Sequence, residues 1–262
     1  MKIQIQNKTE IKNIIEKCKI KTDKGEIVFF TNGNGWYINT LINNLIKSIE
    51  LKDEQFDKVI VFCSDKDGYN KCEELNFKYF EYINIPELKV SELIENKDNK
   101  EEHYTRLTFV KVVLISYILE LGYIPFYLDP DMSFKTNSID NLIIKYFNDE
   151  TEFVCSGTPS YMNSNIMIVK PTTNTNFLFN LQIKDVEHII STEGLYSDED
   201  FLRPRMEFLQ RMNKINYISQ TEYPPGCDAK KYIKEAKIIH ANCVVGLENK
   251  IKLIKECNAW YI

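Results

Sequence analysis

The 262-residue sequence lacks several features that would direct its function. No apolar run approaches the ~18–20 residues that a membrane-spanning helix needs, and residues 1–22 lack the continuous apolar stretch of a signal peptide. We therefore expect a cytoplasmic protein with no membrane span. No internal repeat and no linker rich in Pro, Gly or Ser divides the chain, so residues 1–262 are predicted to form a single domain.

Arginine is scarce, and cysteine occurs without a metal-binding pattern. Only four arginines stand among the 33 basic residues, and the net charge is −5, which argues against a nucleic-acid partner because phosphate binding needs a basic face. The seven cysteines are odd in number, scattered and without a CxxC pair. This usage favours free thiols over a disulfide framework or a zinc site.

The first half of the chain repeats a strand, a turn and a helix. A continuous apolar run at 27–31 predicts a strand buried on both faces, and further strands are predicted at 59–63 and at 80–85; the first two lead through polar turns into helical patterns. Three such units imply an α/β fold with a mostly parallel central sheet flanked by helices.

The next unit carries the strongest motif. After a polar stretch at 96–102, predicted as a surface loop, a helix runs to Gly122 and a strand spans 124–128. Further predictions are short strands at 152–155, 165–170 and 237–240, and helices near 176–187, 200–213 and 247–257.

Two acids, Asp129 and Asp131, leave the strand at 124–128 where open α/β sheets bind ligands. Carboxylates at positions i and i+2 point to the same side, as a divalent cation requires of its oxygen ligands. Two other interpretations stay open: the acids solvate a turn, or Asp129 is the nucleophile and Asp131 the acid of a haloacid dehalogenase-type phosphatase. The phosphatase pattern belongs on the first strand of its domain, whereas three units precede it here.

Three later segments carry further candidate groups. Asn163 enters a strand, where an amide either caps a turn or faces a ligand. The acids 198–200 precede a helix, either as cap and first-turn residues or as carboxylates facing a reacting carbon. His240 ends an apolar strand, with Gly246 and Lys250 after it. Imidazole with two carboxylates suits manganese, and lysine suits phosphate.

Taken in order, five blocks resemble the nucleotide-diphospho-sugar transferase family, within it the retaining GT-A glycosyltransferases of the family 77-like group. The blocks are residues 111–134, 162–172, 198–200, 221–226 and 238–250. The resemblance implies a GT-A (Rossmann-like) single domain. Its nucleotide-binding half would be residues 1–134, ending in the DxD motif, and its acceptor and sugar half residues 135–262.

The resemblance further implies a metal-dependent glycosyltransferase that moves a sugar from a nucleotide-diphosphate donor, most simply a UDP-sugar, to a hydroxyl of an unknown glycan, protein or small molecule. Mn²⁺ (or Mg²⁺) would be held by Asp129, Asp131 and His240. Thr31, Asn32 and Asp65, at the ends of the first strands, would line the nucleoside pocket, and the rest of the nucleotide-sugar would be bound by Lys111, Asp129, Gly246 and Lys250. Asn163, Asp198 and Glu199 would face the sugar as catalytic residues.

Two residues depart from the family pattern. Asn165 stands where glycine is usual, which predicts a narrower floor of the sugar pocket. Glu199 stands where glutamine is usual and adds a negative charge beside the reacting carbon. These departures also leave open a non-catalytic relative that binds a nucleotide or glycan.

Overall fold

The computed structural model describes residues 1–90, 100–195 and 197–262. Residues 96–99 of the predicted surface loop lie outside these ranges. The rest of that loop is helical, because Lys100 begins the long helix that carries the apolar stripe predicted after it. Within the described ranges, no helix is both long and apolar enough to cross a membrane.

The helices and strands alternate along most of the chain. The helices are α1 (Lys8–Cys18), α2 (Gly35–Tyr37), α3 (Asn43–Lys52), α4 (Lys66–Glu74), α5 (Lys100–Glu120), α6 (Ile139–Tyr146), α7 (Thr173–Leu178), α8 (Ile183–Ser191), α9 (Asp198–Arg211) and α10 (Leu247–Glu256). The strands are β1 (Ile20–Thr22), β2 (Gly25–Gly33), β3 (Ile60–Cys63), β4 (Phe80–Tyr82), β5 (Ile124–Leu128), β6 (Met132–Phe134), β7 (Phe153–Thr158), β8 (Tyr161–Val169), β9 (Ile215–Ile218) and β10 (Ile238–His240).

The central sheet has the order β4-β3-β2-β5-β8-β7-β9, with β1 paired to β2 at its side. The pairs β4·β3, β3·β2, β2·β5 and β7·β9 are parallel, whereas β8 is antiparallel to both of its neighbours. The predicted α/β fold with a mostly parallel sheet is confirmed. A separate two-stranded sheet joins β6 and β10 in antiparallel register.

Strand β2 shows why the sheet is covered on both faces. Val28 and Phe30 point into one core with residues of α1, α5, α8 and α9, while Ile27 and Phe29 point into a second core with residues of α3 and α6. Because neighbouring side chains along a strand point to opposite faces, an unbroken apolar run needs helices on both sides.

Several elements differ from the sequence prediction. The helix expected near 176–187 is two helices, α7 and α8, because capping boxes at Thr172 and Gln182 start each one separately. Strands β6 and β9 and helix α6 were not predicted. Strand β9 is short and most of its residues are only half-buried. Such a strand needs no continuous apolar run, so its sequence carries little signal.

Candidate functional site

The site is built around three side chains that two β-pairings bring together. Asp129 and Asp131 follow β5, at the carboxyl end of the parallel strands. Strand β6 begins one residue later, and its pairing with β10 sets Met132 opposite His240. The amide of Ala241 also donates a hydrogen bond to the carbonyl of Asp131 (3.0 Å).

The imidazole of His240 faces both carboxylates. Its Nε2 lies 3.1 Å from Oδ1 of Asp131 and 3.4 Å from Oδ2 of Asp129. One ligand atom from each of the three side chains lies within 4.8 Å of the other two. A single cation can therefore reach all three residues.

Charge in this cluster is strongly coupled. Burial opposes a charged imidazole, yet the carboxylates, Asp131 above all, raise the pKa of His240 to about 9. Burial likewise opposes ionisation of Asp131, but His240 and Lys250 hold the pKa of that carboxyl well below its usual range. Burial raises and Lys111 and His240 lower the pKa of Asp129, with a net decrease. Both acids are therefore ionised at neutral pH.

The donor set fits a divalent cation such as Mn²⁺ or Mg²⁺. His240 is 3% exposed, and its enclosed Nε2 lies within ion-pair distance of both carboxylates. A cation bound between them would replace these contacts by coordination bonds to the same three side chains. Two carboxylates and an imidazole are ligands that manganese accepts.

Asn165 contacts His240 from the other side of the ring. Its amide nitrogen lies 2.6 Å from Nδ1 of His240, and its Oδ1 accepts hydrogen bonds from the hydroxyl of Ser156 and the amide of Ile166. This contact restricts rotation of the imidazole beside the two carboxylates. The side chain of Asn165 points toward His240 and does not line the cavity. The structure therefore does not show the narrower floor of the sugar pocket that the sequence predicts at this position.

Lys250 and Gly246 belong to the start of α10. The ammonium of Lys250 pairs with Asp131 and donates to the carbonyl of Ala241 (3.0 Å). Gly246 precedes the helix with φ at +90°, a conformation that favours glycine, and it does not line the cavity.

Lys111, on α5, is buried among protein groups. Its Nζ donates to Oγ of Ser164 (2.7 Å) and lies 3.2 Å from Oδ2 of Asp198 and 3.6 Å from Oδ1 of Asp129. Burial opposes its charge, but Asp129 and Asp198 raise its pKa overall. The ammonium thus joins the end of β5 to the first turn of α9, so its charge is already shared among protein carboxylates.

The acidic turn places two carboxylates in different settings. Ser197 caps α9, and Asp198 is almost fully buried, so that burial raises its pKa to about 6. Glu199 is half-buried on the cavity wall, with one oxygen accepting the amide N–H of Ser164 (3.1 Å). Asn163 lines the same wall and accepts the amide N–H of Asn165 through Oδ1 (3.1 Å).

A cavity of about 370 Å³ opens between these elements. Nine of the residues singled out from the sequence line it: Asn32, Lys111, Asp129, Asp131, Asn163, Asp198, Glu199, His240 and Lys250. The lining also includes residues that the sequence analysis did not select, among them Tyr37, Tyr104, Thr108, Tyr161, Ser164 and Asn242. Ser164 and Asn242 lie within the blocks 162–172 and 238–250 but have no assigned role there, and no motif includes the other four side chains.

The neighbouring ends of β2 and β3 hold polar atoms without partners. The hydroxyls of Thr31 and Ser64 and Oδ1 of Asn32 are buried and have no hydrogen-bond partner within the described part of the chain. Asp65 differs from them, because its carboxylate caps α4 through the amide of Gly68 (2.6 Å) and also accepts the amide of Gly35 (3.1 Å). The oxygens of Asp65 thus accept hydrogen bonds from backbone amides. Neither Thr31 nor Asp65 lines the cavity.

Comparison with known proteins relates the chain to one family. The family model described as nucleotide-diphospho-sugar transferase matches residues 54–254. No curated protein matches the sequence.

Solved structures resemble the fold at low sequence identity. The bifunctional glycosyltransferase WbbM superposes with a TM-score of 0.58 at 11% identity over 91% of this chain, which spans 50% of WbbM. The galactosyltransferase LgtC, solved with donor and acceptor sugar analogues, gives 0.57 at 11% identity, covering 89% of this chain and 96% of LgtC. Mouse xyloside xylosyltransferase 1 gives 0.51 at 12%, covering 84% and 99%. These likenesses confirm the predicted GT-A architecture.

Proposed function

Because the chain belongs to the nucleotide-diphospho-sugar transferase family, we propose that it is a metal-dependent glycosyltransferase that moves a sugar from a nucleotide-diphosphate donor to a hydroxyl acceptor. One observation carries the proposal. The Nε2 of His240 faces the carboxylates of Asp129 and Asp131 at the wall of a cavity that Glu199 also lines. A cation site and an acidic side chain therefore share one cavity.

Asp129, Asp131 and His240 would hold the cation, Mn²⁺ or Mg²⁺. When bound, the cation supplies positive charge that stabilises the departing diphosphate. Lys250 adds a second positive charge on the same side, because its ammonium already lies against Asp131 at the cavity wall. A phosphate oxygen that binds there would compete with the carboxylate for the ammonium.

The donor base is proposed to be uracil. The imide N–H of uracil is a donor that suits the unpartnered Oδ1 of Asn32, which lines the cavity near the ends of β2 and β3. Cytosine lacks this N–H, so CMP-linked donors fit the same acceptor less well. Asp65 would act indirectly, by holding the turn at Gly35 next to these strand ends.

The sugar would lie against the wall formed by Asn163, Asp198 and Glu199. Asp198 is buried and paired with Lys111, so Glu199 is the carboxylate more accessible to an anomeric carbon. Its negative charge would stabilise an oxocarbenium-like sugar. With retention of configuration, the acceptor hydroxyl would attack from the face that the diphosphate leaves.

A thermal-shift experiment tests the nucleotide and the metal together. The unfolding midpoint is measured with UDP, GDP or CMP, each with Mn²⁺ or EDTA. A ligand at ~100 times its dissociation constant adds about 2.7 kcal/mol, or roughly 5–11 °C for a protein of this size. We expect stabilisation by UDP with Mn²⁺, lost in Asp131→Ala and kept in Asp23→Ala, whose carboxylate is 82% exposed.

Release of UDP from UDP-sugars then separates the enzyme from its alternatives. Binding of UDP without release from any UDP-sugar would favour the non-catalytic relative. Release of phosphate from a generic phosphate ester, without any nucleotide response, would favour the phosphatase with Asp129 as nucleophile. The cytoplasmic location, the division into halves at residue 134 and the family 77-like kinship stay predictions.

A further inference from the structure

Two of the seven cysteines lie against each other beside the cavity, and one of them, Cys243, lines it. The Sγ atoms of Cys227 and Cys243 are 2.8 Å apart, and both residues are exposed. Cys227 belongs to the turns between β9 and β10, whereas Cys243 follows β10. The two thiols therefore join separate segments of the chain.

Contacts of the neighbouring residues also hold the two segments together, without any contribution from the thiols. The amide of Gly226 donates to Oδ1 of Asn242 (2.6 Å). A Cβ added at Gly226 would lie 2.1 Å from the carbonyl oxygen of Asn242, so the segments meet where only a glycine fits. Gly226 thus lies beside Asn242, and Cys227 lies beside Cys243. The two sulfurs are close because the backbones of the two segments are close.

The remaining cysteines offer an internal comparison. All five are buried, including Cys63 and Cys72, whose Sγ atoms are 3.5 Å apart. A thiol reagent in solution reaches Cys227 and Cys243 first, since thiol oxidation depends on access as well as on distance.

We propose that Cys227 and Cys243 are a redox modification site. A small-molecule disulfide such as oxidised glutathione would oxidise the two thiols to a reversible disulfide between Cys227 and Cys243. This site goes beyond the proposed transferase activity and does not depend on it. One protein thiolate attacks the small-molecule disulfide and releases one molecule of free thiol. The second protein thiolate attacks the protein sulfur of the mixed disulfide and releases the other. The two protein thiols lose two electrons and two protons, and the small-molecule disulfide gains both.

The bond would act on the cavity wall. Asn242 and Cys243 line the cavity, and His240 lies three residues before Cys243. A disulfide would tie this segment to the turn at Gly226 in the arrangement described here. It would also close a loop through β10, which restricts the unfolded chain and stabilises the folded one.

Thiol counting and peptide mapping on the unmodified sequence test the proposal directly. The fully reduced protein is incubated with oxidised glutathione, quenched with acid, denatured and mapped by mass spectrometry. We expect the loss of two of the seven thiols, a single cross-linked peptide pair containing Cys227 and Cys243, and full recovery with reductant. Retention of all seven thiols, glutathione adducts without a cross-link, or a cross-link between Cys63 and Cys72 would overturn it.

Matched variants add a physical readout. Oxidation should raise the midpoint of thermal unfolding by several degrees in the wild type and in Cys72→Ser, because the buried pair takes no part. Cys243→Ser should show no cross-link and no reversible rise. An equal rise in Cys243→Ser would contradict the assignment, and the peptide map decides the question even if a variant does not fold.

Discussion

Replacing Lys111 by methionine is expected to destabilise the protein in a way that depends on pH. The side chain of Lys111 is 7% exposed and that of its partner Asp198 is 2% exposed. Methionine has a similar length and no charge, so it removes the ammonium while filling much of the space. Removing one partner of a buried ion pair typically costs about 3–5 kcal/mol.

The pH dependence follows from the carboxyl group left behind. In the wild type, burial raises the pKa of Asp198 from 3.8 to about 6. The folded state therefore keeps a proton that the unfolded state has released, and stability falls as the pH rises toward 6, then levels off. Without Lys111 the pKa of Asp198 rises further, so the fall continues above pH 6.

The difference can be stated as a magnitude. Between about pH 6 and pH 7.5 the free energy of unfolding of the variant falls by about 1.4 kcal/mol per pH unit, whereas that of the wild type stays nearly level. The destabilisation by Lys111→Met should therefore be about 2 kcal/mol larger at the higher pH. Urea denaturation of both proteins at the two pH values measures it.

Two further proteins make the result decisive. In an Asp198→Asn background, Lys111→Met should cost less, and most of the extra loss at the higher pH should disappear, because the remaining carboxyl beside Lys111, that of Asp129, is still held ionised by His240. Lys111→Arg keeps the charge and should show no additional pH dependence. An equal destabilisation at both pH values, with or without Asp198, would refute the reasoning.

Three more perturbations test other parts of the structure. Gly226→Ala places a Cβ 2.1 Å from the carbonyl oxygen of Asn242, so the segment after His240 must move; we expect about tenfold weaker Mn²⁺ binding by direct titration, and unchanged affinity would contradict it. Asp65→Ala removes the cap of α4 and should cost about 1–2 kcal/mol in urea denaturation, whereas no loss would make the cap irrelevant. Burial raises the pKa of Asp53 to about 6, so Asp53→Asn should flatten the fall in stability between about pH 4 and pH 6, and an unchanged pH profile would exclude this role.

The parts of the fold that depend on local pattern could be predicted from the sequence. The strand predicted at 124–128 is β5 with the same bounds, because an unbroken apolar run between a glycine and two acids leaves little choice of limits. The cluster of Asp129, Asp131 and His240 was also selected, because the two acids follow a strand at the edge where parallel sheets bind ligands and the resemblance to the family added His240.

Features that arise from pairing between distant segments were not predictable in this way. The carboxylate partners of Lys111 and the amide partner of His240 come from strands and helices that only the folded topology brings together. Nothing in the sequence links Cys227 with Cys243, which are 16 residues apart. The two thiols meet because Gly226 lies against Asn242. Sequence patterns report burial and local conformation, and these contacts follow from neither.

The two-stranded sheet of β6 and β10 makes the candidate metal site depend on strand register. Met132 is opposite His240, and the next ladder position joins the amide of Ala241 to the carbonyl of Asp131. Side chains alternate between the faces of a strand, so a shift of one residue in β10 would turn the imidazole away from both carboxylates. The position of His240 is thus set by backbone pairing and not by its own contacts with the acids. A cation bound by the three side chains would stabilise the same pairing in return, because it binds only the register in which they meet.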